Sequence, residues 1–139
     1  MIRFSLIALV SVMLAPIAAA QDVTGEWTGR YICGQGVTAL NLTIAKAGSP
    51  GGLTATFRFG PLPENPDVPK GAYQMRGTYD ADSRRVRLNG VKWIEAPAGY
   101  VMVGLDGHVS ESGSRISGAV PDMFPCSVFE VWRPDPLVG

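Results

Sequence analysis

The chain is poor in the residues that carry chemistry. It contains one histidine, His108, and two cysteines, Cys33 and Cys126. A structural zinc site needs four such ligands, so these three cannot build one, and no metal is expected. The Gly-x-Ser-x-Gly elbow of hydrolases is absent. Asp106 lies two residues from His108, but Asp106-Gly107 reads as a turn or bulge. No serine or cysteine nucleophile motif accompanies that pair, so His108 reads as a surface imidazole. Asp80-Ala81-Asp82-Ser83 lacks the remaining oxygen ligands of a calcium loop and reads as a hairpin turn. No segment shows a sustained helical period, and no glycine-rich phosphate loop opens a helix. These absences predict a non-enzymatic protein without a cofactor.

An excess of one charge is missing too. Twelve basic residues balance twelve acidic ones. The basic footprint of a nucleic-acid binder is therefore not present. The single local cluster, Arg84, Arg85, Arg87 and Lys92, spans a turn and the strand after it, and reads as a solvated strand face.

One long hydrophobic run is present, and it stands at the start. Residues 1–20 place Arg3 before an apolar stretch from Phe4 to Leu14 and end on Ala18-Ala19-Ala20. That order is expected of a cleaved secretory signal peptide. Its removal leaves 119 of the 139 residues and 11 basic against 12 acidic side chains. No second run has the length of a membrane span. The mature protein is thus expected to be exported, periplasmic or secreted, without stable membrane insertion.

Residues 21–133 read as one all-β domain, followed by a flexible tail at 134–139. Apolar and polar residues alternate with period two in Thr24–Cys33, Val37–Lys46, Leu53–Phe59 and Ala72–Asp80. Four further strands are expected over Arg84–Trp93, Tyr100–Ser110, Arg115–Val120 and Ser127–Arg133, with Gly90 as a bulge. Turn signals separate them, among them Gly34-Gln35-Gly36 and Ser49-Pro50-Gly51-Gly52. Eight short strands joined by tight turns predict an antiparallel barrel or sandwich. Cys33 ends the first strand and Cys126 begins the last. In an eight-stranded up-and-down barrel these positions meet at the closure, so one disulfide is expected to staple the seam.

Two patterns remain. The unit Gly-x-aromatic recurs at Gly25-Glu26-Trp27, Gly29-Arg30-Tyr31, Gly71-Ala72-Tyr73 and Gly77-Thr78-Tyr79. Glycine lets a strand bend and a neighbouring ring covers the gap, which suits barrel corners; the same rings can line a ligand pocket. The segment Gly60–Lys70 holds Pro61, Pro63, Pro66 and Pro69. No strand survives that density of missing N–H donors, so a stiff exposed loop is expected, either a connector or a recognition surface.

Gly25-Glu26-Trp27 at the start of a small exported barrel resembles the opening of calycin-type barrels, the lipocalin and avidin families, and Gly77-Thr78-Tyr79-Asp80 looks avidin-like. The resemblance implies an eight-stranded up-and-down barrel that holds a small ligand in its mouth. The C-terminal helix of lipocalins is missing, as is the polar pattern that follows Gly-x-Trp in avidins, so no ligand contacts carry over. Tyr31-Ile32-Cys33-Gly34 loosely resembles small periplasmic lysozyme inhibitors, without their Ser-Gly-rich inhibitory loop.

The expected function is binding. One form is an inhibitor-like protein or secreted, virulence-associated effector that engages a protein partner through Pro61, Pro63, Glu64, Pro66, Asp67 and Pro69. The other is a carrier of a small apolar ligand, with Trp27, Tyr31, Phe57, Tyr73, Tyr79 and Trp93 lining the barrel mouth.

Overall fold

A computed structural model describes residues 10–13 and 22–134. The expected leader, residues 1–20, lies outside the described residues except for 10–13, as does the tail from residue 135. Among the described residues there is no helix, and eight strands form a closed antiparallel barrel. In chain order these are β1 Gly25–Cys33, β2 Gly36–Lys46, β3 Gly52–Gly60, β4 Gly71–Asp80, β5 Arg85–Glu95, β6 Leu105–Val109, β7 Arg115–Ala119 and β8 Val128–Trp132. Each pairs with the next, and β8 pairs back onto β1 with Tyr31 opposite Phe129. Closure leaves no strand edge exposed along this seam.

Alternation decides what lies inside. Trp27 and Tyr31 of β1, Leu40, Leu42 and Ile44 of β2, and Phe57 and Phe59 of β3 all face the core. Tyr73, Met75, Leu88, Ile116 and Val131 complete it from the other strands. Each large apolar side chain buried this fully contributes about 1.5–3 kcal/mol. The strands must coil tightly to close so small a barrel. At Gly77 an added Cβ would lie 1.7 Å from the Arg87 carbonyl oxygen, and at Gly29 it would lie 2.0 Å from that of Glu130. Glycine therefore allows neighbouring backbones to approach where any side chain would block them.

The irregularities lie in the second half. Gly90 pairs with Met75 and Lys92 with Gln74, so the extra residue of the expected bulge is Val91. A second bulge leaves Ile94 unpaired between Trp93 and Glu95. Both bulged side chains are exposed. The sixth strand is shorter than the expected Tyr100–Ser110. The buried Tyr73 hydroxyl accepts from the Val103 N–H at 3.0 Å and donates to the Val103 carbonyl at 2.9 Å. A side chain thus satisfies the backbone groups that a ladder would otherwise use, and the segment before Leu105 runs outside the sheet.

Cys33 and Cys126 form a disulfide that spans 93 residues of sequence. The Ser127 N–H donates to the Ile32 carbonyl at 3.0 Å beside it, continuing the β1–β8 seam. The connections 34–35, 61–70, 96–104 and 120–127 gather at this end, the mouth. At the other end, the floor, Val23 is buried and its carbonyl accepts from the Trp27 indole N–H at 3.0 Å.

Candidate functional site

The proline-rich loop is pinned to the mouth at two points. The Asn65 side-chain amide donates to the carbonyls of Gln35 (2.7 Å) and Val37 (3.0 Å), clipping the loop to the β1–β2 turn. Val68 is buried among the core side chains. A tight turn closes just before the clip, with the Asn65 N–H donating to the Leu62 carbonyl at 2.9 Å. Pro61, Pro63, Glu64, Pro66, Asp67 and Pro69 all point outward and are exposed. The loop is therefore held from beneath while the proposed contact residues face solvent. Sequence alone marks neither Asn65 nor Val68 as an anchor; the one available signal is a lone valine within a polar, proline-rich loop.

A cleft of about 360 Å³ opens beside this loop. Tyr31, Gln35, Tyr100, Val101, Met123 and Phe124 line it, together with both half-cystines. Its polar groups are neutral. The Gln35 amide donates to the Tyr31 hydroxyl at 3.2 Å and to Thr38 Oγ1 at 3.0 Å, and the Thr38 hydroxyl donates to the Gly36 carbonyl. Burial pushes the Tyr31 and Tyr73 hydroxyls well above the ordinary tyrosine range. They act as hydrogen-bonding groups and stay protonated at neutral pH. At the lip of the cleft Phe124 is 96% exposed and Val101 is 59% exposed.

The six aromatic residues proposed to line a ligand pocket divide between the two ends. Tyr31, Phe57, Tyr73 and Trp93 join Phe59 and Tyr100 in one cluster below the mouth. Phe57 stacks on Tyr73 with centroids 4.5 Å apart, Tyr31 meets Phe57 edge-on at 5.2 Å, and Trp93 meets Tyr73 edge-on at 5.1 Å. Phe59 stacks on Tyr100 at 5.4 Å. These rings fill one another's faces and occupy the space beneath the cleft. Trp27 and Tyr79 stand at the floor. The Trp27 ring lies under Arg133, and the Tyr79 N–H donates to the Gly51 carbonyl at 2.8 Å.

His108 projects outward from β6, opposite Arg85 on β5. Its neighbour Asp106 is held by Arg85, whose Nε and Nη2 donate to the two carboxylate oxygens at 2.9 and 2.7 Å. Those hydrogen bonds keep the Asp106 carboxyl below the usual carboxylate range. Its lone pairs are committed to an arginine on the outer wall, which does not suit it to orient a base. Among the described residues no three His, Cys, Asp or Glu side chains come together as a metal site.

No family model, curated protein or solved structure matches this chain.

Proposed function

We propose that this is an exported, non-enzymatic binding protein that engages a protein partner through its mouth, in the manner of an inhibitor or a secreted effector. The observation that carries the reading is Phe124, 96% exposed at the lip of the cleft and on the same end as the pinned proline-rich loop. An aromatic ring held in water is the kind of anchor that dominates protein interfaces. A stiff loop has little conformational freedom to lose when it is captured. The intramolecular disulfide is compatible with an oxidising destination, as the expected leader requires.

The test uses the mature chain as bait with two sets of substitutions. Phe124→Ser, and separately Pro63→Ser with Glu64→Ser and Asp67→Ser, are expected to lose the captured partner while the melting temperature is unchanged. Deleting Glu64–Val68 is a poorer test, because it removes the Asn65 clip and the Val68 anchor together with the exposed residues. Capture that survives both sets of substitutions overturns the reading.

A second reading is a small-molecule carrier, in line with the calycin resemblance. It is favoured by the cleft of about 360 Å³ over Tyr31 and Gln35, a size within the usual range of small-ligand sites. Native mass spectrometry separates the two: a stoichiometric small mass retained by the purified protein and lost in Tyr100→Ala supports the carrier.

A further inference from the structure

The outer wall of the barrel carries a second candidate site, distinct from the cleft at the mouth. The basic cluster visible in the sequence is largely neutralised by the fold. Arg84 pairs with Glu111, and Arg85 and Arg87 both pair with Asp106. On the opposite wall Arg30 and Arg115 share Glu130. Pairing of β3, β4 and β5 assembles a different set. Gln74 on β4 has Lys92 directly opposite on β5 and Thr56 directly opposite on β3. Arg76 follows two residues along the same strand, and Arg58 is the diagonal neighbour, since it pairs with Ala72. Same-face neighbours along a strand are about 7 Å apart, and diagonal ones about 7–8 Å. Three cations therefore surround one glutamine on one exposed face.

None of these cations has a carboxylate within ion-pair distance among the described residues. The nearest acid by register, Glu95 opposite Ala72, also makes no ion pair. Neighbouring like charges cost stability in a sheet. The fold neutralises its other basic strand residues and leaves this group open. Beside the group lies a groove of about 370 Å³, lined by Thr43, Thr54, Thr56, Gln74, Arg76 and Val91.

We propose that this wall binds an acidic polysaccharide, one carrying a carboxylate on its sugar rings. Charge complementarity selects an anion, and the surroundings select its class. Threonine hydroxyls and the Gln74 amide both donate and accept, as sugar hydroxyls require. The Val91 side chain offers an apolar surface to the C–H face of a ring. Arg58, Arg76, Lys92, Gln74 and the groove's threonines and valine include no aromatic platform on which nucleic-acid bases would stack. They also include no aromatic anchor for a protein interface, and the two exposed bulge side chains beside Lys92, Val91 and Ile94, are too little for insertion into a bilayer. The groove volume falls within the range of a small-ligand site, enough for a short stretch of the chain to sit in place.

Affinity electrophoresis of the mature protein through gels containing polygalacturonate tests this, with neutral dextran, vesicles rich in phosphatidylglycerol and poly-glutamate as comparison probes. The expected result is retardation by polygalacturonate and none by dextran. Arg58→Gln, Arg76→Gln and Lys92→Gln together should weaken that retardation about tenfold, as removal of three exposed charge contacts implies. Gln74→Ala should weaken it further without any change of charge. The control Arg30→Gln, Lys46→Gln and Arg115→Gln removes the same charge from elsewhere and should leave retardation in place. Three outcomes overturn the proposal: no retardation, equal loss in the control variant, or binding to vesicles or poly-glutamate as tight as to polygalacturonate. Arg58 shares a groove with Pro61 and Leu62 of the proline-rich loop, whereas Gln74, Arg76 and Lys92 do not line it. Loss of retardation in Arg76→Gln with Lys92→Gln, partner capture being unchanged, therefore keeps failure here distinct from failure of the proposed protein-binding role.

Discussion

The Arg133 guanidinium lies 4.3 Å from the centroid of the Trp27 ring, closing the floor of the barrel from beyond the end of β8. Its Nη1 donates to the Thr24 carbonyl at 3.2 Å and its Nη2 donates to the Asp22 carbonyl. One side chain thereby ties the segment before β1 to the segment after β8 and covers the fully buried Trp27. Arg133→Ala is expected to cost about 2 kcal/mol, combining a cation–π contact with hydrogen bonds from a charged donor. Urea unfolding followed by tryptophan fluorescence measures it. Arg133→Lys should recover only part of the loss, because an ammonium lacks the planar fork that reaches both carbonyls.

Glycine at the barrel corners makes a sharper prediction. A Cβ at Gly77 meets the Arg87 carbonyl oxygen at 1.7 Å, and neither backbone can move without opening the β4–β5 ladder. Gly77→Ala is expected to destabilise by about 1–3 kcal/mol or more, the range of overpacked sites. Gly48→Ala is the matched control, since an added Cβ there has no atom within 4 Å. Thermal melts of the two variants should differ clearly, with Gly48→Ala close to the parent.

The strands were legible because half-buried strands write their burial into a period of two. Leu53, Ala55, Phe57 and Phe59 announce β3, and all four are buried in the barrel. Closure was legible through Cys33 and Cys126, one ending the first strand and the other beginning the last, positions that an up-and-down barrel brings together. The short β6 was not legible. Val103 continues the alternation, but its N–H and carbonyl are taken by Tyr73, 30 residues earlier. The Asn65 clip was hidden for the same reason, since a turn-forming asparagine and a loop-pinning one look alike in sequence. The wall of Arg58, Arg76 and Lys92 was hidden by distance along the chain. Register brings those residues together, while the residues adjacent in sequence, Arg84, Arg85 and Arg87, are paired off.

The Arg85–Asp106 pair sets a pH dependence. Hydrogen bonds from Arg85 hold the folded Asp106 carboxyl below its ordinary value, so the folded state binds that proton less readily than the unfolded chain. The contribution is present at pH values above the ordinary carboxylate pKa near 4 and is lost as pH falls through the lower folded value. Asp106→Asn is expected to flatten the fall of stability with pH in the region below about pH 4. Denaturant midpoints from pH 6 to pH 2 should therefore converge for parent and variant at the acid end. If the curves stay parallel throughout, the pair contributes nothing to acid sensitivity.

The seam makes the last prediction, and it couples the fold to the compartment. The β1–β8 ladder runs only from Thr28 opposite Trp132 to Tyr31 opposite Phe129, the shortest register span on either side of β1. Beyond it, toward the mouth, the Ile32–Ser127 hydrogen bond and the Cys33–Cys126 bridge hold the barrel shut. The bridge encloses 93 residues of sequence separation, so its removal frees nearly the whole domain in the unfolded state. Cys33→Ala with Cys126→Ala is expected to cost about 2–4 kcal/mol. The loss should be uneven. Amide exchange should accelerate first at Ile32, Ser127 and Phe129 and in the mouth segment 120–127, while the β2–β3 and β3–β4 ladders keep their protection. The oxidised parent should not react with a thiol reagent until it is reduced, and reduction should reproduce the exchange pattern of the double variant. Uniform acceleration across all strands would instead mean that the bridge acts on global stability alone and that the short ladder closes the barrel by itself.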